Sequence, residues 1–342
     1  MKNKLIDKIE YSALSGRGGA AYPVYWKWQD FSKSIKTKNE AYFIVNGAEG
    51  EPGVKKDEFI LANHLDELIN GIYVIDKYFS NKKIKKIYFY LNKDYLKKYK
   101  KNILTILKEE KYKKIKDKIE FFVKAENPGY ISGEESAILN IIEGKKTIPR
   151  LKPPYPSTKG LFDKPTLVHN IETIYDISLV SKNKYQGLRF YYINGSVKKP
   201  GVYSFNSNMS IEEVLKESGN YPEFNFFVQV GGQASGEVLN RDQLFISASS
   251  TASIMVYNKE KTDQNKLIKY WLKFYQKESC GNCSVCREGT YRLLEMINNP
   301  PYDKNLFWDI VESLENTSFC ALGSSLSIPL KTYYKNIINI DK

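Results

Sequence analysis

The stretch Glu278-Ser-Cys-Gly-Asn-Cys-Ser-Val-Cys-Arg-Glu-Gly-Thr290 holds three of the chain's four cysteines, and the fourth follows in Ser318-Phe-Cys-Ala-Leu-Gly323. Two C-x-x-C steps share their middle cysteine, so Cys280, Cys283 and Cys286 fold around a single point, and Cys320 closes the set from a distance. A triplet with a remote fourth thiolate is what a cubane [4Fe–4S] cluster requires, one thiolate per iron corner. Zn²⁺ also accepts four thiolates, although zinc ribbons usually present two separate C-x-x-C knuckles. Disulfides are the third reading, and the lack of other cysteines and of a secretory segment weighs against them.

A second set of candidate residues lies on glycine-rich loops in the first half. Gly16-Arg-Gly-Gly-Ala-Ala-Tyr-Pro23 formally fits a dinucleotide fingerprint, but a helix precedes it where that fingerprint needs a strand. It remains a loop whose backbone N–H groups can approach a phosphate or a flat ring: Gly16, Gly18 and Gly19 allow the approach, and Arg17 or Lys27 can neutralise charge. Asn46-Gly-Ala-Glu-Gly-Glu-Pro-Gly53 and Asn127-Pro-Gly-Tyr-Ile-Ser-Gly-Glu-Glu135 add Glu49, Glu51, Glu134 and Glu135. Carboxylates there can accept hydrogen bonds from ribose hydroxyls or a carboxamide, and they disfavour a 2′-phosphate. Glu134 and Glu135 equally suit a helix N-terminus. Tyr22 and Tyr155 lie in Gly/Pro-rich loops where a ring can stack on a ligand. His64 and His169 are too scattered for a metal site, and His64 reads as a packing residue on a helix.

These loops need a scaffold. Residues 1–15 read as a short helix. Ala41–Asn46 reads as a buried strand, 58–79 as a helix with Leu61, Leu65, Leu68, Ile72 and Ile75 at helical spacing, Lys86–Leu91 as a strand, 94–110 as a helix and Ile119–Ala125 as a strand. That order implies a parallel sheet with right-handed crossovers, with ligands beyond the carboxyl ends of its strands. The four glutamates are expected to converge on that crevice. A proline-stiffened excursion fills 145–174. Around 188 the pattern turns to short strands, Phe190–Gly195, Gly201–Phe205 and Phe226–Val230, with a helix at 210–218. From 264 onwards the periodicity is helical, so the cysteines are expected on loops between helices. The division predicted is 1–186, 187–257 and 258–342.

The 342 residues are 42% hydrophobic and 27% charged, ordinary for a globular protein with a real core. No run of apolar residues is long enough to span a membrane, and the charged N-terminus lacks an apolar signal region. With reduced cysteines, this points to the cytoplasm. The net charge of +13 invites a nucleic-acid reading. However, only six basic residues are Arg, and phosphate-clamping and base-reading surfaces favour Arg over scattered Lys. The densest run, Asn81 to Lys118, reads as a solvated face. A zinc-stabilised module binding nucleic acid through its lysines remains the alternative of a different class.

Taken together, the motifs resemble the NADH-binding flavoprotein (F) subunit of respiratory complex I and the equivalent subunits of NAD-linked hydrogenases and formate dehydrogenases. The resemblance runs through 16–23 with Lys27-Trp28, 46–53, 130–139, 149–156 with Gly160-Leu161, 164–166, 170–173, 278–290 and 319–323. It implies a Rossmann-like FMN/NADH domain, a β-grasp-like (SLBB-type) middle domain and a helical bundle with one [4Fe–4S] cluster on Cys280, Cys283, Cys286 and Cys320. It carries FMN over to Gly16, Arg17, Gly18, Gly19, Lys27, Asn46, Glu49, Gly133, Glu134 and Asn170. The nicotinamide nucleotide falls to Tyr22, Glu51, Glu135, Lys152 and Tyr155.

The function implied is electron input: hydride from NADH to FMN, then single electrons to the cluster, with Glu49 or Glu135 tuning the reacting rings locally. A thioredoxin-like [2Fe–2S] subunit and a larger iron–sulfur subunit are the expected partners, in a complex peripheral to the membrane. Three departures stand out. The family's Asn-Ala-Asp-Glu is here Asn46-Gly-Ala-Glu49, so Ala48 removes a carboxylate; His169 replaces an Asn; and the lead-in before the glycine loop is short. Ala48 and His169 motivate the rival reading of a flavin-free relay or scaffold subunit.

Overall fold

The computed structural model describes residues 2–79, 83–248 and 253–339. The chain forms two units, one of residues through 50 with 55–188, the other of residues 51–54 with those from 189 on.

The first unit runs through α1 (Lys2–Tyr11), α2 (Val24–Lys36), β1 (Ala41–Gly47), α3 (Lys56–Asn63), α4 (Leu65–Tyr78), β2 (Ile84–Leu91), α5 (Lys93–Ile106), α6 (Lys113–Lys116), β3 (Ile119–Val123), α7 (Glu135–Ile142), β4 (Thr166–Asn170) and α8 (Ile171–Ser181). Its sheet has the order β3-β2-β1-β4 with every pairing parallel. β1 and β2 are apolar almost throughout, as strands covered on both faces must be, and Phe43, Ile44, Val45, Ile87, Phe89 and Leu91 are fully buried. The register sets Asn46 beside Asn170, so the carboxyl ends of β1 and β4 present two amides side by side.

Two expectations are corrected here. β4 has no counterpart in the sequence reading, because five residues after a proline-rich stretch show no clear period. The helix expected over 58–79 is two helices broken at His64, which has non-helical φ and ψ. Each half opens on its own acidic first turn, Asp57 and Glu58 in α3, Asp66 and Glu67 in α4, and each pair complements its own helix dipole. His64 packs between the rings of Phe59 and Tyr175. α4 then lies hard against α8: a Cβ on Gly71 would stand 2.2 Å from the Ile174 carbonyl oxygen, so only glycine admits this backbone approach.

Of the lysine-rich run, Asn81 and Lys82 lie outside the described residues. Further along it, Lys93, Lys97, Lys98, Lys100 and Lys101 are exposed.

The second unit holds β5 (Leu188–Gly195), β6 (Gly201–Asn206), α9 (Ile211–Glu217), β7 (Phe226–Val230), β8 (Glu237–Asn240) and β9 (Ser253–Asn258), followed by α10 (Gln264–Glu278), α11 (Ser284–Asn298), α12 (Lys304–Thr317), α13 (Ala321–Ser325) and α14 (Ser327–Tyr333). Its mixed sheet has the order β6-β5-β9-β7-β8. α9 starts with a reciprocal cap between Ser210 and Glu213 and buries Ile211, Val214 and Leu215 against Tyr191, Val228 and Ile254. The outer edge of β8 is met by side chains: Val238 N–H donates to Thr332 Oγ1 at 2.9 Å, and Asn336 Nδ2 donates to the Val238 carbonyl at 2.7 Å. Among the described residues no helix is long and apolar enough to cross a membrane.

Candidate functional site

The glycine loop is a closed turn. Gly16 N–H donates to the Tyr22 carbonyl at 2.8 Å, Ser15 bridges to Pro23, and the chain reverses through Gly19 (φ 107) and Ala21 (φ 49). Arg17 fixes this turn to α8. Its N–H donates to Thr173 Oγ1, and its guanidinium meets Asp176 Oδ2 at 3.1 Å and the Tyr185 hydroxyl at 3.0 Å. The side chain is only 6% exposed. The guanidinium expected to neutralise phosphate is thus turned inward on an acidic partner, and Arg17's part in the loop is to hold its shape.

At the strand ends the two amides organise a buried polar network. Asn46 Nδ2 donates to the Gly133 carbonyl at 3.0 Å, while its Oδ1 accepts the Ala48 N–H. Asn170 caps α8 by accepting the Glu172 N–H. It also accepts Lys56 Nζ at 2.9 Å and donates to Asp57 Oδ2 at 2.8 Å. Lys56 is ion-paired with Asp57 at 2.6 Å and with Glu172 at 3.3 Å. Burial pushes the Lys56 ammonium down, but the three acidic neighbours Asp57, Glu172 and Glu49 outweigh it and raise its affinity for the proton. Sequence reasoning missed Lys56, Asp57 and Glu172; the one signal was the charged run Lys55–Glu58 directly after a glycine-rich strand-end loop.

Glu49 sits in the same network. Its carboxylate accepts the N–H groups of Asp57 and Glu58 at the start of α3, and the Tyr95 hydroxyl at 2.6 Å. Burial, and then repulsion from Asp57, pushes its pKa up to about 7 against the opposing pull of Lys56.

A second charged group lies half open. Lys27 Nζ meets Glu135 Oε2 at 3.0 Å and the Val168 carbonyl at 3.2 Å. Lys152 Nζ meets Glu134 at 2.7 Å and Glu135 at 3.4 Å. Glu134 also caps α7 through the N–H groups of Ser136 and Ala137. Burial raises the Glu135 carboxyl, but the two ammonium groups more than offset it and hold it below its usual range. Tyr22 and Tyr155, 44% and 57% exposed, stand close enough that Tyr155 adds to the burial that raises the Tyr22 phenol.

The four glutamates fall to three different sets of partners. Glu134 and Glu135 share Lys152, and Glu49 belongs to the network around Lys56. Glu51 packs with the second unit, where it accepts Ala234 N–H at 2.9 Å and Ser235 N–H at 3.2 Å. Tight backbone geometry commits it there, since a Cβ on Gly232 would stand 2.3 Å from the Glu51 carboxyl.

The two unusual residues are both interior. Ala48 is 2% exposed in an apolar cluster with Ile138 and Leu139. His169 is buried and accepts the Trp28 indole N–H at 2.9 Å through Nε2. Burial, reinforced by Lys27, drives its pKa well down, so it is a neutral acceptor.

In the second unit α11 packs between α10 and α12 and brings the cysteines together. Cys280 lies in the loop after α10, Cys283 precedes α11, Cys286 is inside the first turn of α11, and Cys320 precedes α13. Cys286 thus departs from the expected loop placement: starting the helix at Ser284 lets an i, i+3 step aim Cys283 and Cys286 at one side. Burial, with the other three thiols adding to it, pushes Cys286 up to about 11. Burial raises Cys320 as well, partly offset by the N–H groups of Leu322 and Gly323. Among the described residues no group of three or more His, Cys, Asp or Glu is arranged to hold a metal ion. Cys286 is buried and the other three are half-buried. Four such sulfurs are the donor set that a cluster with one thiolate per iron corner takes, and a positively charged bound group would offset the burial that raises the Cys286 and Cys320 thiols.

Comparison with known proteins is consistent along the chain. A family profile described as the Nuo51 FMN-binding domain matches residues 9–179, and one described as the NADH-ubiquinone oxidoreductase-F iron-sulfur binding region matches 266–337. The chain is 31% identical to the F subunit of the NADH-quinone oxidoreductase of Aquifex aeolicus, over 94% of this chain and 81% of the relative. It is 28% identical to the mitochondrial NADH dehydrogenase [ubiquinone] flavoprotein 1 of Dictyostelium discoideum, over 96% and 76%. A chain of an NAD⁺-reducing [NiFe]-hydrogenase in its H₂-reduced state superposes with a TM-score of 0.87 at 24% identity, over 99% of this chain and 61% of that one. This likeness is one of fold, and the chain spans about three fifths of the hydrogenase chain.

Proposed function

The chain belongs to the family of NADH-quinone oxidoreductase F subunits, and from that premise we propose that it is the NADH-oxidising, electron-input subunit of a multi-subunit oxidoreductase. The cofactors are FMN and a [4Fe–4S] cluster, and the electron donor is NADH. The cluster displaces the zinc-module reading, since the matched region is an iron–sulfur one. The observation that carries the proposal is the coexistence in one chain of a glycine-turn and strand-end amide site with a four-thiol set built around the buried Cys286.

When bound, the flavin takes a hydride as an electron pair and the cluster passes electrons on singly; that chemistry belongs to the cofactors. The chain's residues bind and orient. The Gly16–Gly19 turn lets backbone approach a phosphate or ring, stiffened by Arg17 on Asp176. Asn46 and Asn170 offer amides at adjacent strand ends, and Lys27 supplies a cation within reach of Glu135. Glu135, kept ionised by Lys27 and Lys152, accepts hydrogen bonds from ribose hydroxyls or a carboxamide and repels a 2′-phosphate, which favours NADH over NADPH. Tyr22 and Tyr155 supply exposed ring faces for a base or nicotinamide. Glu49, whose proton affinity lies near neutrality, can hold or release a proton at its carboxylate beside this network. Hydride transfer itself requires no protein acid or base.

The nucleotide work is assigned to residues 1–186 and the cluster to 258–342, with 187–257 as a β-rich module in the chain between them. Partners that accept the electrons are iron–sulfur subunits, one of thioredoxin-like [2Fe–2S] type and one larger, in a complex peripheral to the cytoplasmic face of a membrane. An anaerobic NADH titration of reconstituted protein tests the reading. The expected result is bleaching of the flavin band near one equivalent, followed by a cluster signal on further reduction. A brown protein without flavin or response to NADH would overturn it in favour of a relay or scaffold.

A further inference from the structure

Two serine hydroxyls beside the cysteine set have no part in anything derived so far. Ser279 ends α10 and precedes Cys280; its Oγ lies 3.5 Å from the Cys286 sulfur and accepts the Gly281 N–H at 3.3 Å. Between a thiol and this hydroxyl either atom can donate, but once Cys286 is a thiolate only the hydroxyl hydrogen can, and it points at sulfur. Ser318, two residues before Cys320, has a buried Oγ with no hydrogen-bond partner among the described residues. A buried hydroxyl without a partner is costly, so its partner is expected to be a group bound nearby. Gly323 shows how near this hydroxyl comes to the cysteine set: a Cβ built on it would lie 2.2 Å from Ser318 Oγ and 3.3 Å from Cys286 Cβ. Glycine at 323 thus brings the Ser318 hydroxyl and the Cys286 side chain to the same spot.

We propose that Ser279 and Ser318 donate hydrogen bonds to sulfur atoms of the thiolate-bound cluster, and that these two donors raise its reduction potential. The proposal rests on the cluster reading above. Uptake of one electron, from the flavin in the working protein or from dithionite in the test, adds one negative charge to the thiolate-bound group, with no bond made or broken. A donor hydrogen aimed at sulfur favours the more negative state, so removing it shifts the balance towards the oxidised state. A net hydrogen-bond contribution of ordinary size corresponds to roughly a fivefold change in the reduced-to-oxidised ratio for each hydroxyl removed.

The test uses the full chain with its cluster. Iron and acid-labile sulfide are measured first; their absence from the wild-type protein would overturn the cluster reading itself. The midpoint potential is then found by potentiometric titration of the reduced-cluster paramagnetic signal in the wild type, Ser279→Ala, Ser318→Ala, Ser279→Thr and Ser318→Thr. The Ala variants are expected at lower potential with iron content kept, and the Thr variants at the wild-type value. Full clusters at unchanged potential in both Ala variants overturn the inference and leave the cluster reading standing. If Ser318→Ala comes out short of iron, the wild-type protein decides: exchangeable-proton couplings to the cluster that vanish in D₂O support the donors, and their absence refutes them.

Discussion

Glu49→Gln should change the pH dependence of stability more than stability itself. The Glu49 carboxyl has an ordinary value of 4.5 and is pushed up to about 7 in the fold, chiefly by burial. Between about 4.5 and 7 the native state keeps a proton that the unfolded chain has released, so this group's contribution to stability falls as pH rises through that window. From pH 5.5 to pH 8 the penalty in the wild type grows by about 2 kcal/mol. Gln is neutral throughout and escapes it. Gln also retains only one acceptor for the Asp57 N–H, the Glu58 N–H and the Tyr95 hydroxyl, a loss of about 1 kcal/mol at any pH. The variant should therefore melt below the wild type at pH 5.5 and level with it or above it at pH 8. The difference should move in its favour by roughly 4–8 °C. Thermal melts of flavin-free protein followed by circular dichroism at the two pH values measure this. A difference that stays within about one degree at both values would mean that Glu49 ionises at its ordinary value and that its burial carries no electrostatic penalty.

Other perturbations are equally direct. Cys286→Ser should lose most of the iron and sulfide, as read by chemical assay per chain, since Cys286 is the most buried of the four thiols. Gly71→Ala puts a methyl 2.2 Å from a backbone oxygen that cannot give way and should destabilise the first unit by about 3 kcal/mol in urea titrations. Lys152→Met leaves Glu135 with Lys27 alone. Its lowered carboxyl should move up, the acid limb of the NADH oxidation profile should shift to higher pH, and KM for NADH should rise roughly tenfold.

Strong local patterns made much of this molecule legible from its residues. The cysteine spacing, the apolar runs of β1 and β2 and the glycine loops are local, and each reports its own position. What stayed hidden depends on partners far away in the chain. Nothing near Arg17 says that its guanidinium ends on Asp176 of α8, or that Lys56 is buried among Asp57, Glu172 and Asn170. β4 is five residues long and escapes any test of period, yet it supplies the Asn170 that faces Asn46. Likewise, Glu49 and Glu51 are two residues apart, and no local signal tells that one caps α3 and the other closes on Ala234 and Ser235.

The outer edge of β8 carries a consequence for association between molecules. Its backbone N–H and C=O at Val238 are met by the side chains of Thr332 and Asn336 in place of a further strand. An edge closed in this way offers no free ladder to a neighbouring molecule. The two side chains thus act as a plug against strand addition, and loosening them would turn that rim into a template for cross-association.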